Sequence, residues 1–167
     1  MKILKKVISY LSILCYVVII GLVLILAPMA IGYKPVVVLS GSMEPTYPVG
    51  SLIYYKTASF ENIDKNDAIT FYIDSDTLVT HRVVVKNEIS QTFITKGDAN
   101  PTNDTNSVDY QNVAGKALEI YLPVIGTVFA SSAKYIAVAG IGGILLLNII
   151  LSNLVANEKQ IKEEVTV

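Results

Sequence analysis

Residues 77–86 read Thr-Leu-Val-Thr-His-Arg-Val-Val-Val-Lys and predict a β-strand, because β-branched residues dominate the stretch. The segment at 67–73 has the same character, and the short polar stretch Asp74-Ser75-Asp76 joins the two. Two extended segments with such a connection are typical of a β-hairpin. This hairpin predicts a domain built from strands.

The segments on either side continue the pattern. Further strands are predicted at 36–39, 51–56, 92–96 and 113–122. No strong 3.6-residue period appears among them. The polar stretch 97–110, rich in Asn, Asp and Thr, is predicted to be a loop. We therefore expect a mostly β fold, with a small antiparallel, barrel-like sheet over residues 33–133.

The chain of 167 residues is 52% hydrophobic with a mean hydropathy of +0.52, which is too apolar for an ordinary soluble domain. Residues 7–32 carry no charge, and about 20 apolar residues suffice to cross a bilayer. A cleavable signal peptide is the alternative, but its apolar region normally has about 7–15 residues. A retained transmembrane helix over 7–32 is therefore favoured.

A second apolar block covers residues 135–156, and a buried helix is the alternative interpretation there. Its scarcity of polar residues favours a second transmembrane helix. The lysines in residues 1–6 predict a cytoplasmic N-terminus. We then expect residues 33–133 outside the cytoplasm and the tail 157–167 inside it.

Net charge and cysteine content exclude several classes of function. A formal charge of −1 leaves no basic footprint for nucleic acid. The single cysteine, Cys15, lies inside the first apolar run, so disulfides and cysteine-based metal sites are excluded. The sequence shows no cluster of metal ligands, and no metal or organic cofactor is expected.

A candidate nucleophile follows the first apolar run, in Leu39-Ser40-Gly41-Ser42-Met43-Glu44-Pro45. A serine hydroxyl needs a base to take its proton, and His81 is the only histidine in the chain. Alternation along a strand places His81 on one face with Val79, Val83 and Val85. The alternative is a structural histidine that bonds a backbone carbonyl.

An acid that orients the imidazole completes such a site. The polar loop offers two carboxylates, Asp98 and Asp104. Each is alternatively a turn residue, since Asp and Asn are common in loops. The residues alone do not choose between the two.

Taken together, these segments resemble the type I signal peptidases. The matching stretches are Ser40 to Pro45, Thr80-His81-Arg82, Thr95 to Asn100 with Asp104, Gly115, and Leu122 to Gly126. The resemblance covers roughly residues 33–130. A histidine at the base position, where the main bacterial branch has lysine, points to the endoplasmic-reticulum-type, SipW-like branch.

The resemblance implies a role for each matching residue. Ser42 matches the nucleophile and His81 the general base. Asp104 is favoured as the acid that holds His81, with Asp98 a close second. Ser40 matches the hydroxyl that stabilises the oxyanion, and Gly41 is expected to let the backbone turn both serines toward a substrate carbonyl.

The same resemblance also implies the binding partners and the cellular location. The expected partners are the signal peptides of exported preproteins and the lipid bilayer, with the Sec translocon nearby. The expected location is the plasma membrane, or the endoplasmic reticulum membrane in a eukaryote. Two other functions stay open from the residues: a non-catalytic membrane-anchored scaffold, and a protease with Lys86 as base. Lys86 is expected to face away from His81, five residues along the strand.

Overall fold

The structure is a computed structural model that describes residues 2–131 and 139–154. The chain divides into two compact units. One is Pro28–Ser131, and the other joins the residues before 28 to those after 131. The predicted tail at 157–167 lies outside the described residues.

The first helix, α1, covers Lys2–Ala30. Within it Ser9–Ala30 is long and apolar enough to cross a membrane, with a mean hydropathy of 2.8 over its most apolar window. Gly32, with φ of 91°, ends the helix in the left-handed conformation. The N–H groups of Gly32 and Tyr33 then donate to the carbonyls of Met29 and Pro28, which closes the last turn.

A further apolar helix, here α3, covers Ala139–Leu154. Crossing a bilayer takes about 20 residues, so the described part of this helix does not by itself establish a second span. The remaining residues of the predicted second span, 135–156, lie outside the described residues. One long apolar helix is thus established within the described chain.

The Pro28–Ser131 unit contains a seven-stranded antiparallel sheet that forms a half-barrel. Its strands are β1 Lys34–Val37, β2 Leu52–Lys56, β3 Ala68–Tyr72, β4 Leu78–Asn87, β5 Thr92–Lys96, β6 Val108–Asp109 and β7 Val113–Leu122. The spatial order is β1-β2-β7-β3-β4-β5-β6. A short helix, α2 Ile125–Ala130, follows β7. The predicted mostly β, antiparallel fold is confirmed.

Two buried clusters hold the sheet. The first contains Phe60, Ile63, Ile69, Phe71, Val83, Phe93 and Val108. The second contains Met43, Tyr47, Ile53, Tyr55, Ala68 and Ala117. Burying one large apolar side chain contributes about 1.5–3 kcal/mol, so each cluster is a substantial source of stability. Strand β4 reaches the first cluster through Val83, two residues after His81.

A register shift between Val83 and Val85 in the β4–β5 pairing overturns two expectations. Val85 is 44% exposed and does not share the buried face of Val83. Lys86 instead turns to that face, where its Nζ lies 4.6 Å above the ring of Phe60. An extra residue in one strand reverses the alternation beyond it, which simple counting from His81 could not detect.

Candidate active site

Ser42 lies in a short 3₁₀ turn, Gly41–Met43, which follows β1. The next residue, Met43, is 2% exposed and packs in the second cluster. Tyr47 is also fully buried there, and its hydroxyl donates to the carbonyl of Leu118 at 2.9 Å. Burial raises the pKa of Tyr47 to about 12. These two buried side chains fix the turn that carries Ser42 to the sheet.

His81 stands between a hydroxyl and a carboxylate. Its Nε2 lies 3.2 Å from the Oγ of Ser42, and its Nδ1 lies 2.6 Å from Oδ2 of Asp104. The residue is 9% exposed, and the edge of its ring meets Phe71 with centroids 6.3 Å apart. The structure therefore brings three of the predicted site residues into one chain of contacts.

Asp104 is also held by Thr95, which contacts the same carboxylate oxygen as His81. The Oγ1 of Thr95 donates to Oδ2 of Asp104 at 2.6 Å, and the N–H of Asp104 donates to the carbonyl of Thr95 at 2.8 Å. Thr95 is fully buried on β5, opposite Val83. Thr95 lies in one of the stretches that carry the resemblance, but no role was predicted for it, although a threonine on a strand before the polar loop is a visible hydrogen-bonding candidate.

Asp98 contacts other groups. Its two carboxylate oxygens accept from Nε and Nη2 of Arg82 at 2.8 and 2.7 Å. The hydroxyl of Thr46 donates to the same carboxylate at 2.6 Å. The Arg82 guanidinium holds the pKa of Asp98 below its usual value. Asp98 thus ties the segment after Ser42 to the strand residue beside His81.

Gly97 explains how the loop approaches the nucleophile. A Cβ at this position would lie 2.6 Å from the backbone oxygen of Ser42. That same oxygen accepts from the N–H of Ala99 at 2.9 Å. The loop therefore packs directly on the main chain of Ser42, and a side chain at 97 would separate them. No such role was predicted for Gly97 from the sequence.

Ser40 lies beside the nucleophile. Its Oγ is 3.3 Å from the Oγ of Ser42, and both groups are open to solvent. Gly41 between them is not in the left-handed region. A Cβ there would meet only the Glu44 side chain, at ordinary distances from 3.5 Å. The turn between the two serines therefore has a geometry that does not require a glycine at 41.

Two cavities flank β4 near the site. The smaller, of about 110 Å³, is bounded by β1, the first residues of β4 and Ser42. Its walls are mostly apolar, with Val36, Val38 and Leu78 among them. The larger, of about 620 Å³, lies at His81, Asp104 and the polar loop. Val79 borders both cavities.

Two other ionisable arrangements were considered from the sequence: a metal site and Lys86 as an alternative base. Within residues 2–131 and 139–154 no group of three His, Cys, Asp or Glu side chains could hold a metal ion. Lys86, the alternative base, pairs with Glu88 at 3.3 Å and lies over Phe60. Its amine is thus held by Glu88 and Phe60, near the end of β4 at Asn87.

The site has the arrangement of a serine–histidine–aspartate triad on an antiparallel sheet. The Ser42 hydroxyl, the His81 imidazole and the Asp104 carboxylate form one row of contacts. Each of the two ring nitrogens of His81 has a partner. Such an arrangement is typical of proteins that carry out serine-based acyl chemistry. A long apolar helix precedes the sheet in the same chain.

Comparison with known proteins gives the family. No family model matches the chain. "Signal peptidase I W" of Bacillus subtilis is 41% identical over 99 residues, which are 58% of this chain and 52% of the relative. "Signal peptidase complex catalytic subunit SEC11" of Lachancea thermotolerans is 32% identical over 132 residues, 71% and 77% of the two chains. The rat relative of the same complex, SEC11C, is 32% identical over 67% of this chain and 66% of its own.

The chain belongs to the type I signal peptidases, in the endoplasmic-reticulum-type, SipW-like branch. The matched segment spans about half the length of the Bacillus relative. The predicted family is confirmed.

Proposed function

We propose that this protein is a membrane-bound serine endopeptidase that removes N-terminal signal peptides from exported preproteins. The observation that carries the proposal is the contact chain from Ser42 through His81 to Asp104, found in a member of this family. Each distance is within reach of a direct proton transfer or hydrogen bond.

The first step is attack by Ser42. Asp104, as a carboxylate, accepts a hydrogen bond from the N–H at Nδ1 of His81, which leaves Nε2 free to take the proton of the Ser42 hydroxyl. The Ser42 oxygen then bonds the scissile carbonyl carbon. The Asp104 charge stabilises the imidazolium that forms, and Thr95 keeps that carboxylate in place.

The tetrahedral oxyanion needs donors. We propose that the backbone N–H of Ser42 and the hydroxyl of Ser40 supply them. Ser40 is supported by its Oγ, which lies 3.3 Å from the attacking oxygen. Loss of one such donor typically lowers the rate by about 10²–10³-fold. Ser40→Ala is therefore expected to be less damaging than Ser42→Ala.

The second half of the reaction returns the enzyme to its starting state. The His81 imidazolium gives its proton to the leaving amine, which becomes the N-terminus of the mature protein. Water then loses a proton to Nε2 and attacks the acyl-enzyme ester. The signal peptide leaves with a new carboxylate, and Ser42 recovers its hydroxyl proton.

The substrate class is supported by the shape of the smaller cavity. Signal peptides end in small residues before the cleavage site, and a cavity of about 110 Å³ admits small side chains. Strand β1 is an edge strand beside this cavity. An extended peptide can pair with such an edge while alternate side chains enter the cavity.

Topology and location follow as parts of the proposal. Residues 7–32 and 135–156 are proposed to span the membrane, with 33–133 on the outer side and both termini in the cytoplasm. The length and hydropathy of Ser9–Ala30 support the first span. We propose the plasma membrane, or the endoplasmic reticulum in a eukaryote, as the location. The chain would lie near the Sec translocon, where signal peptides enter the bilayer.

Asp98 is proposed to position the site without touching the reacting atoms. It connects Thr46, in the segment after the nucleophile, to Arg82, next to the base. This clamp keeps Ser42 and His81 at a fixed separation. Asp104 is the acid proposed for catalysis.

Cleavage of a membrane-inserted preprotein by the purified, reconstituted protein tests the proposal. Ser42→Ala and His81→Ala are each expected to lose about 10⁴-fold or more in kcat, since members of a triad act as a unit. Ser90→Ala is the matched control, because this exposed serine in the β4–β5 hairpin lies outside the site and its hydroxyl contacts that of Thr92. Processing by Ser42→Ala at the wild-type rate would exclude the serine mechanism.

A further inference from the structure

The larger cavity, of about 620 Å³, lies against His81 and Asp104. Of the two cavities, only the smaller is bordered by Ser40 and Ser42. The base and its acid therefore face a second space, distinct from the one proposed for the side chains of the signal peptide. Cavities that bind drug-sized ligands measure about 300–1,000 Å³, so the larger cavity has room for a short peptide segment.

Hydrogen-bonding side chains without a protein partner line the larger cavity. Three hydroxyl side chains of the polar loop line it, between residues 102 and 107. Four amide side chains also line it, those of Asn100, Asn103, Asn106 and Asn112. In the described part of the chain, none of these side chains hydrogen-bonds another protein group. Polar groups that converge on a cavity are typical of a site that fixes a ligand through hydrogen bonds.

The larger cavity carries one fixed charge. Among the described residues that line it, Asp104 is the only Asp, Glu, Lys or Arg. His81 and Thr95 both contact Oδ2 of this carboxylate, and no described residue donates a hydrogen bond to Oδ1. The Asp104 side chain is 24% exposed. The cavity therefore complements a peptide with a cationic side chain and disfavours an acidic one.

The proposed reaction determines which part of a substrate lies at this cavity. Nε2 of His81, 3.2 Å from the Ser42 oxygen, gives its proton to the leaving amine. The acyl part of the substrate stays with Ser42 and the smaller cavity, so the residues after the scissile bond extend from the nucleophile past His81. Val79 borders both cavities, which makes them neighbours along such a path.

We propose that the larger cavity binds the first residues of the mature protein, here called the leaving segment, through hydrogen bonds from the polar loop. One imidazole ring separates Asp104 from the Ser42 oxygen, and an extended peptide advances about 3.3 Å per residue. The second or third residue of the leaving segment therefore comes beside Asp104. This inference rests on the proposed function and adds to it a specificity for the mature end of the substrate.

Other occupants fit the larger cavity less well. The apolar part of a signal peptide would cover the amides and hydroxyls of the loop without giving them hydrogen-bond partners, which is unfavourable. An anionic ligand would face the Asp104 carboxylate with no lysine or arginine among the lining residues. Water alone would make cleavage independent of the residues after the scissile bond.

A series of peptides of increasing length tests the proposal on the full-length protein in detergent. The peptides share one sequence before the scissile bond and carry one, two, four or six residues after it. Each hydrogen bond gained contributes about 2–10-fold. We therefore expect kcat/KM to rise by about 5-fold or more between one and four residues and then to level off.

Two results of this series would contradict the inference in different ways. Equal kcat/KM at all lengths, with cleavage abolished in Ser42→Ala, would leave the proposed function standing and overturn the leaving-segment site. If wild type matches Ser42→Ala on every peptide and on a membrane-inserted preprotein, both the function and the inference are wrong.

A variant that fills the larger cavity gives a second test. Ser107→Trp places a large ring in its wall. Ser90→Trp is the matched control, since this exposed serine lies in the β4–β5 hairpin outside both cavities. The readout is the ratio of kcat/KM on the four-residue peptide to that on the one-residue peptide. A misfolded fraction lowers both rates equally, so it does not change the ratio.

We expect Ser107→Trp to lower this ratio toward one and Ser90→Trp to keep the wild-type ratio. A wild-type ratio in Ser107→Trp would show that the leaving segment lies elsewhere.

Side-chain charge in the leaving segment tests the contribution of Asp104. Peptides with Lys, Gln or Glu at the second or third residue after the scissile bond are compared at low salt. We expect Lys to exceed Glu in kcat/KM by about 2–5-fold, the range for a partly exposed ion pair, with Gln between them. The difference should shrink as salt is added. The same rate for all three peptides, or the reverse order, would contradict a leaving segment beside Asp104.

Discussion

Two carboxylates of one loop have different partners, and for this reason we propose different functions for them. Asp104 contacts His81 and Thr95, whereas Asp98 contacts Arg82 and Thr46. The sequence showed both residues but could not separate them, since both follow turn-forming residues. The distinction depends on where a polar loop folds back, which strand patterns do not specify.

Substitution of each carboxylate by its amide should separate the two roles. Asp104→Asn is expected to lower kcat by about 10⁴-fold, because an amide does not hold the required imidazole tautomer. Asp98→Asn is expected to lower the free energy of unfolding by about 1.5–3 kcal/mol, the range for a hydrogen bond to a charged group. Steady-state cleavage and thermal unfolding of both variants provide the measurements.

The reverse pattern would contradict this assignment. If Asp98→Asn lost more kcat than Asp104→Asn at equal stability, Asp98 would be the catalytic acid.

Acid should weaken the Asp98 clamp. The Arg82 guanidinium lowers the pKa of Asp98 in the folded state, so the stabilisation is complete above the unfolded value of about 3.9 and is lost as pH falls through the folded value. Wild type should therefore exceed Asp98→Asn in stability at about pH 7, with the difference shrinking below about pH 4. Unfolding of both proteins across this range measures the effect. A difference that is constant with pH would argue against an ionic contribution.

At the scale of strands, the alternation of side chains and the turn signals were sufficient to predict most strands of the sheet. The hairpin of β3 and β4 and the strands β5 and β7 lie where the sequence predicted them. Strand β6, Val108–Asp109, was predicted as loop. Two residues in a polar stretch carry no alternation, and they pair with β5 only through the tertiary fold.

The register shift in β4 shows where alternation along a strand no longer predicts the face on which a side chain lies. Counting from His81 gave the correct face for Val83 and the wrong one for Val85 and Lys86. The shift arises in the pairing with β5, so it belongs to two strands at once. Information on one strand alone cannot reveal it.

The loop that carries Gly97 should tolerate no side chain there. Gly97→Ala places a methyl group 2.6 Å from the Ser42 carbonyl oxygen. We expect a loss of about 1–3 kcal/mol in unfolding free energy from this overpacking, together with slower cleavage. Gly41→Ala is the matched control, since its Cβ meets nothing closer than 3.5 Å. Chemical denaturation of the two variants compares them, and equal stabilities would show that the loop adjusts freely.

At the scale of the whole molecule, polar contacts connect the apolar helices. The Asn148 side chain lies within 3.4 Å of Ser12 and donates to the Sγ of Cys15 at 3.3 Å. Hydrogen bonds between helices in lipid typically contribute about 0.6–2 kcal/mol. The sequence predicted two apolar segments and could not specify which polar side chains would meet.

Asn148→Leu should weaken the association of α1 and α3 by about 0.6–2 kcal/mol, because Ser12 loses its partner on the other helix. Unfolding in mixed micelles at increasing detergent fraction measures the loss. Asn153→Leu is the control, since Asn153 lies exposed on the same helix. Equal effects of the two substitutions would show that the Asn148 contacts do not hold the pair.

The strand order also determines when the site can assemble. Strands β1 and β2 join the rest of the sheet only through β7, and Leu52 pairs with Leu122. The β3–β4–β5 hairpins close locally and need no later segment. Distant pairings form more slowly than local ones because a longer chain must be closed. During synthesis the strands around His81 can thus pair while the turn that bears Ser42 waits for residue 122, so the proposed activity is delayed until the domain has emerged.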